Sequence, residues 1–477
     1  MPGALWLIAL PIGITPLVYL LRRKMLGALL AALIASVTTW LVIRLPAGVV
    51  LNLLGRTIEL DHLSQITLSL LFAATAILFL TLAFFPSWRY KQISDNRSIG
   101  PGVRIFYPSA LVILTLFVAA SLSRHLGITA IFIELAGILT VFVIQAERLE
   151  STRAALRFLI LISLAMPLFL LAAWRIDFYQ LSGGVVEASD VEQTALFVGL
   201  GFALWLAVVP FHGWLTSTAT EASPPMAVFV LITFPIVALS TLIHLLIDLP
   251  WLIDSLYLVE AIIIAGVVTA FVGGLSASVQ RGFSELLGYS TLFNLGCILT
   301  LLGLGGQAAV ITILVSLTVR VLALVLIAAS TSTIYLQVAS DGFTQVKGIA
   351  RQMPIATAGL VIGGLTLAGA PLTAGFAPYW QLLRSMAEVD TRWLALLVLG
   401  GLGVTIGYLR GFRAALALGG PVNNKGRVGL SVSIQEPLPL LIIIVILGLA
   451  CLGLGLFPAI LIEPLQAASS GILFPIH

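Results

Sequence analysis

The sequence predicts an all-α polytopic membrane protein of about fourteen transmembrane helices, and three observations predict it. Of its 477 residues, 60% are hydrophobic and 9% charged, against about 25% charged in soluble domains, and the mean hydropathy is +1.13. Apolar runs recur along the whole length, each of roughly 18–25 residues and so able to cross about 30 Å of hydrocarbon as a helix. No intervening stretch has the length of a soluble domain, so residues 1–477 read as a single membrane domain.

Taken in order, the spans begin near Ala4, Lys24, Ile66, Arg104, Gly127, Ala154, Thr194, Pro225, Ser255, Glu285, Ala308, Met353, Arg392 and Glu436. The cationic cluster Arg22, Arg23 and Lys24 follows the first span, with no small-residue cleavage site in view, so that span reads as a retained helix. Basic residues concentrate on one set of loops, among them Arg89, Lys91, Arg148, Arg281, Lys347, Arg413 and Lys425. The opposite set is poorer (Arg44, Arg56, Arg124, Arg175, Arg384, Arg392) and carries the acidic segment Asp177, Glu187, Asp190 and Glu192. The rule that basic loops stay cytoplasmic then places both termini outside a bacterial cytoplasmic membrane. The net charge of +4 is spent on these topology signals and implies no nucleic-acid partner.

Cys297 and Cys451 lie inside apolar spans without partners at metal-ligand spacing and read as packing residues. No motif for haem, flavin, nucleotide or an iron–sulfur cluster is visible, nor a nucleophilic triad, so the sequence suggests no cofactor, no metal and no active site of its own.

Two spans carry interior breaks: "WLAVVPFHGWL" around Pro210, and "TLAGAPLTAGFAPYW" around Pro371 and Pro378. Proline removes a backbone hydrogen bond and clashes with the preceding turn, so the freed carbonyls need protein or water partners. Broken helices about five spans apart point to an internal repeat around a central pathway; the plainer reading is the general frequency of proline in membrane helices.

The run Gly201–Pro225 resembles the seventh helix of the antiporter-like membrane subunits of complex I, the proton-pumping NADH:quinone oxidoreductase, and of their relatives in multisubunit cation/proton antiporters and membrane hydrogenases. The resemblance extends through "RGFSELLGYSTLFNLG" (Arg281–Gly296), "AGAPLTAGFAPYWQLL" (Ala368–Leu383) and an isolated Glu134 in the fifth span; its specific part runs from Arg104 to Arg413. It implies two inverted five-helix repeats, here 104–247 and 255–416, flanked by N-terminal helices 1–103 and a C-terminal helix 436–477. It also implies a chain of buried lysines, glutamates and histidines near the membrane midplane. This sequence departs from that chain. The lysine position of the seventh helix holds Trp205, the lysine or glutamate position of the twelfth holds Tyr379, the lysine position of the eighth falls among Pro235, Ile236 and Val237, and a usual histidine position holds Ser316.

Four residues remain as proton-path or buried-charge candidates: Glu134, His212, Arg320 and Glu260. A carboxylate at the depth of Glu134 costs about 2.5–3.5 kcal/mol on insertion scales. It therefore reads either as a surviving element of a proton path or as a neutral carboxyl bonded between helices. Arg320 stays charged and cannot relay a proton as lysine can. It reads as half of a structural ion pair with Glu134 or Glu260, or as a fixed barrier to cations. His212 matches the family's proline–aromatic–histidine motif; its neutral ring could bond a carbonyl freed by Pro210.

The leading reading is a shorter-type antiporter-like subunit of a complex I membrane arm or close relative, structural or coupling in role, with protons passing weakly or not at all. Other membrane-arm subunits and the bilayer are its expected partners, and the chain ends without the long lateral helix of the largest family type. A subunit of a cation/proton antiporter or membrane hydrogenase is the alternative. A free-standing solute transporter is the weakest, because polar residues near the breaks are few.

Overall fold

The computed structural model describes residues 3–22, 25–53, 56–84, 102–145, 151–181, 188–253, 258–338, 340–418 and 437–469. In chain order, α1 (Gly3–Leu21) and α2 (Met25–Arg44) lead into a hairpin, β1 (Val49–Leu53) and β2 (Arg56–Leu60). Then follow α3 (His62–Ala83), α4 (Gly102–Leu122), α5 (Leu126–Ile144), α6 (Thr152–Leu181), α7 (Ala188–Trp205), α8 (Gly213–Glu221), α9 (Pro224–Asp248) and the short α10 (Pro250–Ile253). The second half holds α11 (Leu258–Val279), α12 (Phe283–Leu304), α13 (Gly306–Val338), the short α14 (Ile349–Gln352), α15 (Pro354–Ala368), α16 (Phe376–Val389), α17 (Thr391–Leu416), α18 (Leu438–Leu456) and α19 (Ala459–Ala468).

Among the described residues, twelve continuous helices are long and apolar enough to cross a membrane. Their starts match twelve of the fourteen expected spans; the other two, near Thr194 and Met353, are the broken pairs α7–α8 and α15–α16. Each broken helix is the fourth of five segments, once between residues 102 and 248 and once between 258 and 416. The sequence reading did not anticipate the hairpin, whose antiparallel register pairs Val49 with Leu60 and Leu53 with Arg56.

Helix starts follow local chemistry. Asp61 and Asp390 accept backbone N–H groups of Ser64 (3.0 Å) and Arg392 (2.7 Å) as N-caps. His125 does the same for Ile128 through Nδ1, and prolines open α9, α15 and α18, where a missing N–H costs nothing. Glu221, closing α8, accepts the Ala154 N–H at 2.8 Å, placing its carboxylate at the positive end of α6.

The centre of the molecule is α9, in which every residue from 224 to 243 is buried, as expected of a helix apolar all round. α12 and α13 are nearly as enclosed, whereas α1, α6 and α18 turn most of their surface outward. α11 and α12 approach at backbone distance because their crossing is lined by glycine: a Cβ on Gly296 would lie 2.3 Å from the Ala270 nitrogen, and one on Gly266 2.6 Å from the Thr300 nitrogen. At one end of the bundle, Arg124 pairs with Glu59 (3.3 Å), Asp61 (3.6 Å) and Asp248 (3.3 Å), and His244 Nε2 lies 2.8 Å from Asp61, fastening β2, α3, α4 and α9 together.

Burial alone would raise the pKa of Asp61. The hydrogen bond and charge of His244, the Ser64 side chain and the Arg124 charge outweigh it and hold the carboxyl well below the usual range. A carboxyl held low in the fold stabilises it above the unfolded value of about 4 and loses that contribution as pH falls through the folded value. Acid is therefore expected to lower the unfolding temperature below about pH 4, and Asp61→Asn to lower it at pH 7 while flattening that acid dependence; a pH series of thermal unfolding in detergent checks both. At the glycine crossing, Gly296→Val is expected to cost at least about 1–3 kcal/mol by overpacking. Gly13→Ala, where nothing lies within 4 Å, is expected to be neutral; fluorescence-detected size exclusion after heating compares them.

Candidate proton-path remnant at the helix breaks

The first break is built by residues 206–212. Val208 donates to the Ala203 carbonyl (2.9 Å), Ala207 takes a left-handed φ of 54°, and the Val209–Pro210 bond is cis. The polar groups this releases are met from outside the helix: Val209 N–H donates to Thr269 Oγ1 on α11 (3.2 Å), and Trp214 Nε1 donates to the Leu204 carbonyl (3.1 Å). The second break uses the same devices. Gly369 and Leu372 take φ of 71° and 69°, Ala374 N–H donates to the Cys451 carbonyl of α18 (2.8 Å), and Thr373 Oγ1 donates to the Ala370 carbonyl (2.7 Å). Gly375 is required there, since a Cβ would sit 1.9 Å from the Thr366 carbonyl oxygen.

Trp205, at the expected lysine position of the first break, is fully buried. Its ring lies 4.1 Å from that of Phe169 and within 6.2 Å of Phe202 and Phe234, in a cluster that continues through Trp214 and Phe158. Its Nε1 has no hydrogen-bond partner. The site that would house an ammonium is packed with aromatic rings.

Tyr379, at the second break, stacks edge-on to Phe293 and donates its hydroxyl to the Leu397 carbonyl of α17 at 2.8 Å. It borders a cavity of about 20 Å³ shared with Asn294, Cys297, Ser316 and Thr366. That is room for a single water molecule.

Arg320 is wholly buried in α13. Nη1 donates to the Thr291 carbonyl and to Asn294 Oδ1 (both 3.1 Å), Nη2 to the Leu231 carbonyl (3.2 Å), and Nε has no partner. The expected ion pair is therefore corrected: among the described residues no carboxylate reaches Arg320, and neutral oxygens of α9 and α12 hold it. Glu260 fails as a buried charge for a simple reason, since it lies exposed in the first turn of α11.

Glu134 sits half-buried in α5, where Ser163 Oγ of α6 donates to Oε1 at 2.5 Å and Oε2 is buried without a partner. His212 stands beyond Pro210 at the start of α8; its ring meets the Pro210 backbone, as expected for a histidine at the break, while its Nδ1 is buried without a partner among the described residues. Glu134, Trp205, His212 and Arg320 are thus all brought into the interior but are not hydrogen-bonded to one another. Sequence reasoning missed Thr269, Asn294 and Trp214, the groups that satisfy the breaks and Arg320. The mid-span position of Asn294 was the available signal, because amides are uncommon at that depth. It also missed His125, whose Nε2 lies 3.0 Å from Asp177 at the head of α5.

Residues 123–405 match the family described as NADH:quinone oxidoreductase/Mrp antiporter, TM. The chain belongs to this family. Formate hydrogenlyase subunit 3 of Escherichia coli is 25% identical over 74% of this chain and 59% of its own length. NADH-quinone oxidoreductase subunit N of Chromohalobacter salexigens is 30% identical over 56% of this chain and 56% of its own. The chain thus spans between half and three fifths of the length of these relatives. In fold it is similar to a chain of the Mrp complex from Dietzia sp. DQ12-45-1b, with a TM-score of 0.79, 17% identity and 99% and 97% of the two chains covered.

The arrangement around Arg320 generates a stability test. Arg320→Ala leaves three acceptors without their donor and opens a cavity, so a loss of about 3–5 kcal/mol is expected. Arg320→Met fills the volume while removing the buried charge and is expected to lose under half as much. Thermal unfolding followed by tryptophan fluorescence compares them, and equal losses would contradict this account.

Proposed function

We propose that this chain is an antiporter-like subunit in the membrane arm of a proton-translocating NADH:quinone oxidoreductase or a close relative, with a structural and coupling role and a weakened or absent proton path. The observation that carries the proposal is Trp205. A proton relay needs a group that exchanges protons at the break, and an indole N–H packed among phenylalanines offers a donor without titration. Tyr379, tied to Leu397, and the always-charged Arg320 leave the second half equally short of a relay.

Membership of an assembly has a physical argument beside the family. Pro210, Pro371 and Leu372 are exposed in the single chain, and irregular backbone at membrane depth persists only where protein or water covers it. Neighbouring subunits are the natural cover. In this reading repeats 104–247 and 255–416 are inverted copies, both termini lie outside, and the membrane is the bacterial cytoplasmic one.

A second reading, a subunit of a cation/proton antiporter or membrane hydrogenase, is favoured by the likeness to formate hydrogenlyase subunit 3 and to the Mrp chain. Purification in mild detergent through a tag on this chain, with mass spectrometry of whatever accompanies it, separates the readings. Flavin- and iron–sulfur-containing partners support the first; membrane partners alone support the antiporter. In proton pumping by the reconstituted assembly, Glu134→Gln is expected to leave the rate unchanged, and a large loss would restore a proton path through this chain.

A further inference from the structure

Arg320 carries a full charge into the interior, and the oxygens that hold it are all neutral. A cation at membrane depth ordinarily has a counter-charge beside it. The cavity at the second break lies one side chain away. Asn294 lines it and accepts the Arg320 Nη1 hydrogen bond at 3.1 Å through Oδ1. That bond commits the amide oxygen to the guanidinium and leaves the two Nδ2 hydrogens without a partner among the described residues.

The rest of the wall is rich in donors. Ser316 stands one turn before Arg320 on the same face of α13, is only 5% exposed, and its hydroxyl has no partner among the described residues. Gly375 lines the cavity at the start of the 14-residue α16, at the positive end of that helix, and its N–H donates to no backbone acceptor among the described residues. Cys297 adds a thiol, a weak donor. Other polar groups are already engaged: the Thr366 hydroxyl donates to the Ile362 carbonyl (2.7 Å), the Thr366 carbonyl accepts the Gly369 N–H (3.2 Å), and the Tyr379 hydroxyl turns to Leu397. No carboxylate is among the residues that line this space. A water there has two hydrogens to place, whereas an anion needs only donors.

Size narrows the choice further. One water needs roughly 10–15 Å³ of such space, so about 20 Å³ takes one water or one monatomic anion and nothing polyatomic. We infer that the cavity is a halide site, occupied by chloride: the ion accepts from Ser316 Oγ, Asn294 Nδ2 and the Gly375 N–H, and serves through the Asn294 amide as the counter-ion of Arg320. It would also tie α16 to α12 and α13 across the break.

The site belongs to this chain alone, so the full-length chain in detergent suffices, compared in sodium chloride, bromide and gluconate at one pH and ionic strength. The unfolding temperature is expected to rise saturably with either halide and to stay flat with gluconate, which is too large to enter. Ser316→Ala is expected to weaken the apparent halide affinity at least about tenfold, the loss of one hydrogen bond to a charged group. Ser316→Val, which also fills the space, and Arg320→Met are each expected to abolish the response. Crystals grown in bromide are expected to show anomalous scattering between Ser316, Asn294 and Gly375. Unfolding that ignores halide would leave the cavity to a water molecule. An undiminished response in both Ser316 variants, or bromide only at the surface, would place the ion elsewhere, and an undiminished response in Arg320→Met would remove its role as counter-ion; each overturns the proposal.

Discussion

Every backbone N–H and C=O that leaves a helix inside hydrocarbon must find a partner in the protein, and this constraint organises the molecule. Helices that never break satisfy it internally, which is why they can be apolar throughout and pack by shape. The two that break depend on their neighbours: Thr269 of α11 serves Val209, and the Cys451 carbonyl of α18 serves Ala374. The positions of α11 and α18 are tied to the breaks, and the breaks fix where Trp205 and Tyr379 stand.

The interior built around these breaks is held by packing and neutral hydrogen bonds. Trp205 fills the first position with a ring among rings, and Tyr379 fills the second with a ring whose hydroxyl is spoken for by Leu397. The single deeply buried cation, among the described residues, is held by two carbonyls and an amide, not by a carboxylate. Such a cradle spreads the charge over neutral dipoles without a second charged side chain, but it fixes the guanidinium in place. Among the described residues, four of the seven buried side-chain atoms that lack a partner belong to Glu134, Trp205, His212 and Arg320.

Much of the fold was legible because its signals are local. Among the described residues, the fourteen apolar runs correspond to twelve continuous and two broken helices, and Pro210 and Pro371 mark the breaks in the sequence itself. The hairpin at 49–60 was not read, because twelve residues of mixed pattern, VVLNLLGRTIEL, between apolar spans look like a loop by hydropathy. Glu260 was misplaced for a related reason. A helix boundary uncertain by a few residues decides whether a carboxylate lies in hydrocarbon or at its edge, and the structure puts it in the first turn.

The sequence by itself determined that this is a many-spanning membrane protein, where its helices break, and that neither break carries a charged side chain. Those properties follow from composition and from the chemistry of single residues, proline above all. Only the tertiary structure decided what holds Arg320, what surrounds Trp205 and which groups line the cavity at the second break. Leu231, Thr291 and Asn294 lie 89, 29 and 26 residues from Arg320. Their convergence depends on how α9, α12 and α13 rotate and cross, which apolar periodicity does not record.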